Sequence, residues 1–560
     1  DYDRKEMVFR EFLQNADDAR ATRFCIILDE SEYSKNTLLN GSMKCWQGPA
    51  IWIYNDEQFS ERDFNSLCNL GNSYKWNQQD KIGKFGVGFN SCYHFTDLPQ
   101  VLSKTSLIIF DSQKKYLNSS GARFDFNDYN ENHIFNKFKD QFKPFRKLKG
   151  CGFEVDYNME FKGTLFRLPL RRNGTESLIS DNVNNIDQII ELLNIIKKDA
   201  MSELIFLRHI ESFEVFRKSS KESNPTLLWK VEVTKNCENR KLYGQKPQIF
   251  ELDVQFSEKK NKWYNNLTET EKKTWLISSG KNDFSLNKLG TWGGIAVIIP
   301  VKPENPLLPN ETAQNGNFYS YLSLSIPSGL SVNLHASGWA LSSDRRSLVF
   351  GSDSQTCVKD DAKATQNKNI LYNILPELHI NLFNEYLKIE EFSRSRLQEN
   401  LDFQGIYRLW PIPAHKNMEI SKYGLKVIQI ASERGEKIFW STINNGTYVN
   451  FKECVFITKK TPPTEVHPAI INLLHEQGRP TVLMEDKHLE ELEDLKPQKA
   501  DPQFIRDILK NNKNNEFISN IQIEYRFVLL RYILEDKKYN DLENIPLVPL
   551  FNNQFGKFDN

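Results

Sequence analysis

Residues 11–19 read EFLQNADDA, and they lie in a segment whose apolar residues recur at helical spacing. The spacing i, i+1, i+4, i+5, i+8 is that of a single apolar stripe, here formed by Val8, Phe9, Phe12, Leu13 and Ala16. The segment therefore predicts an amphipathic helix over residues 5–20, with its apolar stripe on a hydrophobic core.

Three polar residues of the same stretch share one edge of the predicted helix. Glu11, Asn15 and Asp18 stand at positions i, i+4 and i+7, so they lie within an arc of roughly 60° beside the apolar stripe. A carboxylate can act as a general base, and amide and carboxylate oxygens suit Mg²⁺. An ordinary solvated helix face has the same composition, so this edge alone does not distinguish a site from a surface.

A glycine-rich segment follows farther along the chain. Residues 83–88 read GKFGVG, which is neither the dinucleotide fingerprint nor the P-loop pattern. The segment nevertheless suits phosphate, because glycines let backbone N–H groups approach an anion and a following helix adds its positive end. Glycines also form turns, so this segment alone is weak evidence.

The other periodic segments predict the fold class. Strands are predicted at residues 23–29, 50–54, 106–111, 164–170, 295–300, 319–326 and 330–341, with a strand pair at 204–216 and short strands within 217–290. Further helices are predicted from Ser60 to about Leu70 and at 91–95, 186–198 and 358–400. Strands and helices alternate without regular βαβ units, which predicts an α+β fold.

Composition excludes several classes of protein. The 560 residues carry 73 Lys and Arg against 73 Asp and Glu, and this zero net charge argues against a nucleic-acid-binding role. No apolar run approaches the roughly 18 residues of a membrane-spanning helix. The eight cysteines are scattered without a C-x-x-C pair, which is typical of reduced thiols in a cytosolic or nuclear protein. The chain opens on Asp1 directly before a helix, so we expect a piece of a longer polypeptide.

Taken in order, these motifs resemble the Bergerat nucleotide-binding fold of the GHKL ATPase superfamily, which includes the ninety-kilodalton heat-shock chaperones, MutL and type II topoisomerases. The sequences of these motifs resemble those of the sacsin-like repeats of that superfamily more closely still. The segments that carry the resemblance are residues 11–19, 83–94, 96–99, 163–171, 340–346 and 545–550.

The resemblance implies a domain organisation. Residues 1–217 are expected to form a nucleotide-binding domain, a two-layer sandwich of helices on a mixed, mainly antiparallel sheet. A second α/β lobe, similar to a transducer or middle lobe, is expected at 218–357. A mixed, largely helical region is expected at 358–560.

The resemblance also implies roles for the first helix and the end of the second strand. Glu11 matches the general base that orients the attacking water, and Asn15 matches the magnesium ligand. Asp18 is expected to support the nucleotide pocket from the same helix face. Asp56, or alternatively Asn55, matches the aspartate that reads the adenine amino group.

The remaining expected site residues lie later in the chain. The loop that wraps the phosphates corresponds to Gly83, Lys84, Phe85, Gly86, Val87, Gly88 and Phe89. Thr164 matches the threonine on the pocket floor that reaches adenine through water. Arg345 or Arg346 is expected to reach the γ-phosphate from the second lobe, which makes hydrolysis depend on closure.

The expected activity is that of a slow, chaperone-like ATPase with ATP and Mg²⁺ as cofactors and client or co-chaperone proteins as partners. The resemblance also allows dimerisation of a full-length parent. One departure favours an alternative, a protein-interaction scaffold with a vestigial pocket. In the family, the adenine-reading aspartate belongs to a D-x-G-x-G motif, whereas residues 56–59 read DEQF and contain no glycine.

Overall fold

The structure is a computed structural model of the chain. It describes residues 2–68, 88–127, 134–259, 268–281, 291–299, 316–342, 347–350, 358–397, 409–410, 418–458, 460, 462–484, 486–511, 522–539, 542–545, 547–550 and 554–558. The chain divides into two compact units. The first comprises residues 1–307, 317–326 and 333–348, and the second comprises residues 308–316, 327–332 and 349–560. The predicted domain boundaries at 217 and 357 stay predictions.

The first unit is built on one large mixed sheet. Its helices are α1 (Tyr2–Asp18), α2 (Glu61–Cys68), α3 (Lys139–Phe142), α4 (Ile186–Glu203) and α5 (Cys237–Lys241). Its strands are β1 (Arg23–Asp29), β2 (Ala50–Asn55), β3 (Gln100–Lys104), β4 (Ser106–Phe110), β5 (Gly121–Asp125), β6 (Phe161–Pro169), β7 (Ser212–Lys218), β8 (Thr226–Lys235), β9 (Gln248–Glu258), β10 (Thr268–Lys281), β11 (Trp292–Ile299), β12 (Asn317–Ser320), β13 (Leu322–Pro327) and β14 (Asn333–Ala336). Short 3₁₀ helices add Gly41–Trp46, Gly88–His94 and Lys143–Lys147.

Among the described residues the strand order is β13-β12-β14-β11-β10-β9-β8-β7-β1-β2-β6-β3-β4-β5. Most neighbouring pairs are antiparallel, whereas β1 is parallel to β7 and β12 is parallel to β14. The chain therefore combines helices with a mixed, largely antiparallel sheet, as the sequence predicts.

The two faces of the sheet bury different side chains, because successive residues of a strand point to opposite sides. On β2, Ile51 and Ile53 belong to the core beneath α1 and α4, whereas Trp52 and Tyr54 belong to a second core on the opposite face. The opposite face is covered by irregular chain and short helices, including α3. One face of the sheet is thus a helix layer, and we call it the helix face.

The first helix and the first two strands confirm the predictions for this part of the sequence. All five stripe residues of α1 are buried. At the start of α2, the carboxylate of Asp63 accepts hydrogen bonds from Ser60 N at 2.8 Å and Ser60 Oγ at 2.6 Å, which is the expected cap.

The predicted strand pair at 204–216 is wrong, since only β7 is a strand there. Residues 204–207 and Ile210 are apolar because they are buried, and a short run of buried apolar residues resembles a strand in sequence. Their backbone follows a buried loop instead, because the N–H groups of residues 208–210 donate to the carboxylate of Asp17 and not to a neighbouring strand.

Three further strand predictions need correction. The strands β8, β9 and β10, described within residues 217–290, are long and have 10, 11 and 14 residues, because an antiparallel strand tolerates charges on its outer face. The strand predicted at 319–326 is split at Tyr321, whose φ is 68° and whose N–H donates to His335 Nδ1 at 3.1 Å. Of the predicted strand 330–341, only Asn333–Ala336 forms a strand.

The second unit mixes helices with small two-stranded sheets. Its helices are α6 (Val358–Asn369), α7 (Leu375–Leu397), α8 (Met418–Arg434), α9 (His467–Glu476), α10 (Asp486–Glu491), α11 (Pro502–Asn511) and α12 (Ile523–Ile533), with the π-helical turn Ile370–Ile374 between α6 and α7 and 3₁₀ helices at Ile443–Asn445, Thr464–Val466 and Glu493–Leu495. Its strands are β15 (Phe439–Ser441), β16 (Thr447–Val449), β17 (Val455–Thr458), β18 (Thr481–Met484), β19 (Val548–Pro549) and β20 (Phe555–Gly556). The described residues of the second unit thus combine helices with short strands.

Candidate functional site

The polar edge of α1 lies beside a fully packed apolar stripe. Phe12 packs edge-on against Phe166 of β6, with 4.8 Å between ring centroids, and this contact seats the helix on the sheet. Glu11, Asn15 and Asp18 are each half-buried, and each is engaged by other groups of the protein. The helix therefore holds these three side chains at the border between core and solvent.

A second polar group lies on the helix face, at the end of the sheet where α1 gives way to β1. Asn55, the last residue of β2, is paired with Thr164 of β6, and Thr164 is paired with Ser103 of β3. Ile53 and Phe166, two positions away on the same strands, belong to the core beneath α1. Because side chains alternate along a strand, Asn55 and Thr164 also face the helix side.

The same end of the sheet carries the last turn of α1. That helix ends at Asp18, and the chain enters β1 at Arg23. The next residue, Phe24, pairs with Asn55. The fold thus brings the C-terminal turn of α1 and the Asn55–Thr164 pair to one end of the helix face.

A continuous set of hydrogen bonds links the strand ends to the segment that follows β2. The hydroxyl of Thr164 donates to the carbonyl of Glu57 at 2.8 Å, and its Oγ1 lies 3.0 Å from the Oγ of Ser103. Ser103 Oγ donates to the Gly163 carbonyl at 2.8 Å and accepts from Phe59 N at 2.9 Å. Residues 57–59 therefore fold back onto the two hydroxyls.

Asn55 and Asp56, the two candidates for the residue that reads the base, have different hydrogen-bond partners in the structure. Asn55 is 7% exposed, and its Oδ1 accepts from Glu57 N at 3.1 Å. The carboxylate of Asp56 instead accepts hydrogen bonds from Thr22 N at 2.8 Å, Arg23 N at 2.9 Å and Thr22 Oγ1 at 2.6 Å. Asp56 holds the α1–β1 turn, whereas Asn55 faces the helix side of the sheet.

The residues in place of the expected glycines also have structural partners. Gln58 Nε2 donates to Glu160 Oε1 at 3.0 Å and to the Phe161 carbonyl at 2.8 Å, which ties the segment to the start of β6. Desolvation and the neighbouring carboxylate of Asp56 raise the pKa of Glu57. The extra negative charge of this segment therefore stands at the solvent side of the strand end, where Glu57 is exposed.

Asp17, the neighbour of the predicted site residue Asp18, is a structural hub that the sequence analysis missed. It is 1% exposed, and its carboxylate accepts from Arg208 N at 3.0 Å, His209 N at 2.7 Å and Ile210 N at 3.1 Å. The signal for this role was its place at the border of the apolar stripe, four residues after the buried Leu13.

Arg10 attaches the opposite edge of α1 to other elements. Its guanidinium forms an ion pair with Glu203 of α4 at 2.9 Å and donates to the Ser323 carbonyl of β13 at 2.6 Å. Glu203 also accepts from Ser323 N at 3.2 Å. The helix α1 therefore carries the polar edge on one side and, on the other, contacts that link it to α4 and to β13.

The structure describes only two residues of the predicted phosphate loop and neither of the two predicted arginines. Residues 83–87, with Lys84, Phe85 and Val87 among them, lie outside the described residues, and so do Arg345 and Arg346. Gly88 begins the 3₁₀ helix Gly88–His94. Phe89 is buried and packs on Phe110 and Phe166, with centroids 5.2 and 6.1 Å apart, so its side chain belongs to the core.

The described residues contain no cluster of three or more His, Cys, Asp or Glu side chains arranged to hold a metal ion. Within the same residues, no helix has the length and apolar character needed to cross a membrane.

The sequence is similar to known proteins in two comparisons. Residues 1–230 match the family model of the Sacsin domain. The chain is 24% identical to sacsin from Homo sapiens over 595 aligned positions, which cover 98% of this chain and 12% of that protein. The chain thus spans about an eighth of the length of this curated relative. Its first 230 residues are thus similar to the Sacsin domain, and the chain as a whole is similar in sequence to part of sacsin.

Proposed function

We propose that the first part of the chain is a nucleotide-binding module of the GHKL type, which binds a magnesium nucleoside triphosphate and hydrolyses it slowly. The observation that supports this proposal is that the C-terminal turn of α1 and the strand-end pair of Asn55 and Thr164 lie at the same end of the helix face. The polar edge formed by Glu11, Asn15 and Asp18 belongs to that helix. ATP is the nucleotide that the resemblance implies.

The residues on α1 fit the chemistry of phosphoryl transfer. Mg²⁺ prefers oxygen ligands, takes few of them from protein and keeps several waters, so the amide oxygen of Asn15 beside two carboxylates suits it. When bound, the ion would neutralise charge on the phosphates. Glu11 would accept the proton of the attacking water, and Asp18 would support the pocket one turn away.

The other parts of the proposed site come from the resemblance. The loop from Gly83 to Phe89 would wrap the phosphates, and Arg345 or Arg346 would reach the γ-phosphate. We propose that nucleotide binding favours a closed form whose affinity for client or co-chaperone proteins differs from that of the open form.

One observation favours the alternative function, a protein-interaction scaffold with a vestigial pocket. The hydroxyls of Thr164 and Ser103 already donate to the backbone carbonyls of Glu57 and Gly163. Thr164 is fully buried, so a base would have to reach it past residues 57–59. The alternative predicts no nucleotide binding at all.

Calorimetric titration of Mg·ATP and Mg·ADP into the 560-residue chain separates the two functions. Asn15→Ala removes the proposed metal ligand, and Asn224→Ala is a matched control at an exposed asparagine outside the site. The module predicts binding that Asn15→Ala abolishes and Asn224→Ala preserves. Absence of heat at saturating nucleotide, with both proteins folded, would support the scaffold.

A further inference from the structure

The backbone of Ser323, in β13, is held by side chains from two helices. Strand β13 is the outermost strand of the described sheet, where β12 borders it. Ser323 N donates to Glu203 Oε2 at 3.2 Å, and the Ser323 carbonyl accepts from Arg10 Nη1 at 2.6 Å. Glu203 is the last residue of α4, and Arg10 belongs to α1. Both backbone polar groups of one strand residue are therefore bound by side chains of helices.

The two side chains also bind each other in a buried position. Arg10 Nη2 lies 2.9 Å from Glu203 Oε1, and Glu203 is 3% exposed. Arg10 Nε donates to Glu6 Oε1 at 3.0 Å, which orients the guanidinium. Removing one member of a buried ion pair is costly, because the charge that remains has no partner. Arg10, Glu203 and Ser323 therefore hold α1, α4 and β13 together at one point.

This link and Asp17 anchor the same edge of α1. Arg10 and Asp17 are seven residues apart, so they lie within about 20° of each other around the helix and about 10 Å apart along its axis. Asp17 binds the N–H groups of residues 208–210. Two anchors on one edge fix the rotation of α1 about its axis, which non-directional apolar packing leaves adjustable. Glu11, the next residue after Arg10, takes its position from that rotation.

We propose that Glu203 is a positioning residue for hydrolysis, which acts through Arg10 and makes the position of the Glu11 carboxylate depend on how β13 is seated. This inference rests on the proposed function, in which Glu11 is the general base. A misplacement of about 1 Å can lower a reaction rate about 100-fold. A bound Mg²⁺ keeps several waters and tolerates such a shift better. Loss of the link should therefore lower turnover and spare nucleotide affinity.

Two variants break the link from its two sides. Glu203→Gln keeps an oxygen for the N–H of Ser323 and removes the charge that holds Arg10. Arg10→Ala removes the link from α1 itself. Lys197→Ala is the matched control, because it removes an ion pair of the same helix α4, with Glu258 of β9. Urea unfolding checks that each protein is folded.

Turnover of Mg·ATP is measured as phosphate release, and affinity is measured by calorimetry, on the 560-residue chain and the three variants. Glu203→Gln and Arg10→Ala should each lower kcat at least about tenfold and change the dissociation constant less than about threefold. Lys197→Ala should change neither. Glu203→Gln, the milder variant, decides alone if Arg10→Ala does not fold.

Two results would overturn the inference while the proposed function stands. One is a natural kcat in the folded link variants, and the other is a fall of kcat and affinity by the same factor, which marks general damage to the site. A natural chain that binds no nucleotide, or binds it and releases no phosphate, would instead be a failure of the proposed function, and the inference would fall with it.

Discussion

Asp56 binds Thr22 twice, since one carboxylate oxygen accepts from Thr22 N at 2.8 Å and the other from Thr22 Oγ1 at 2.6 Å. Together with the bond from Arg23 N, these contacts join the end of β2 to the entry of β1. Asp56, which the motif predicts to bind the base, therefore stabilises the turn after α1.

Replacing Asp56 with alanine should reduce stability and not base recognition. Two backbone N–H groups and one hydroxyl lose their charged acceptor at a half-exposed site, so we expect a loss of about 1–3 kcal/mol in the free energy of unfolding. Urea unfolding measures that loss, and nucleotide titration measures the affinity ratio between ATP and GTP. A changed ratio at unchanged stability would return Asp56 to the role of base reader.

Glu11→Ala should separate binding from hydrolysis. The proposed general base acts only when water attacks, so its loss should leave nucleotide affinity nearly unchanged and abolish phosphate release. Glu11→Gln, which keeps the shape of the side chain, should behave in the same way. Unchanged release of phosphate by both variants would remove Glu11 from the mechanism.

The adjacent residues Asp17 and Asp18 give a matched pair of variants. Asp17→Ala leaves three N–H groups of residues 208–210 without their acceptor, and we expect a loss of about 3 kcal/mol or more in the free energy of unfolding. Asp18→Ala, at a half-buried position, should cost less. Equal losses in urea unfolding would contradict the assignment of Asp17 as the structural member of the pair.

A buried histidine of the second unit should make stability depend on pH. His379 lies between Leu409, whose carbonyl is 2.7 Å from Nε2, and Tyr423, whose hydroxyl is 2.7 Å from Nδ1. Burial lowers the pKa of His379 from 6.5 to about 4, so the folded chain holds this ring neutral where the unfolded chain protonates it.

The sign of the effect follows from proton binding. Between pH 6.5 and 4 the unfolded state binds the extra proton, so the free energy of unfolding falls as pH falls, by about 1.4 kcal/mol per pH unit from this group. Urea unfolding at pH 7 and pH 5 measures the difference. His379→Gln should lose less stability over that interval than the natural chain, and an identical loss would show that another group causes the dependence.

The α1 helix and the strands that frame it were predictable because their patterns are local. The apolar stripe from Val8 to Ala16 and the buried runs of β1 and β2 need no information from elsewhere in the chain. Asn55 and Thr164 were identified by resemblance, but their pairing across β2 and β6 became visible only in the fold.

What the sequence could not supply depends on contacts between distant residues. The loop at 204–211 has the composition of a strand, but three of its N–H groups donate to the carboxylate of Asp17, nearly two hundred residues earlier. The choice between Asn55 and Asp56 likewise depends on where Thr22 and Glu57 lie. Hydrogen bonds of this kind leave no periodic trace in the sequence.

The central claim is that a nucleoside triphosphate binds at the end of the helix face, between α1 and Asn55. A crystal structure of the 560-residue chain grown with Mg²⁺ and a non-hydrolysable ATP analogue tests it most directly. We expect the base beside the Asn55–Thr164 pair and the metal ion beside Asn15 Oδ1. Nucleotide bound elsewhere, or residues 57–59 closed over an empty strand end at saturating nucleotide, would contradict it.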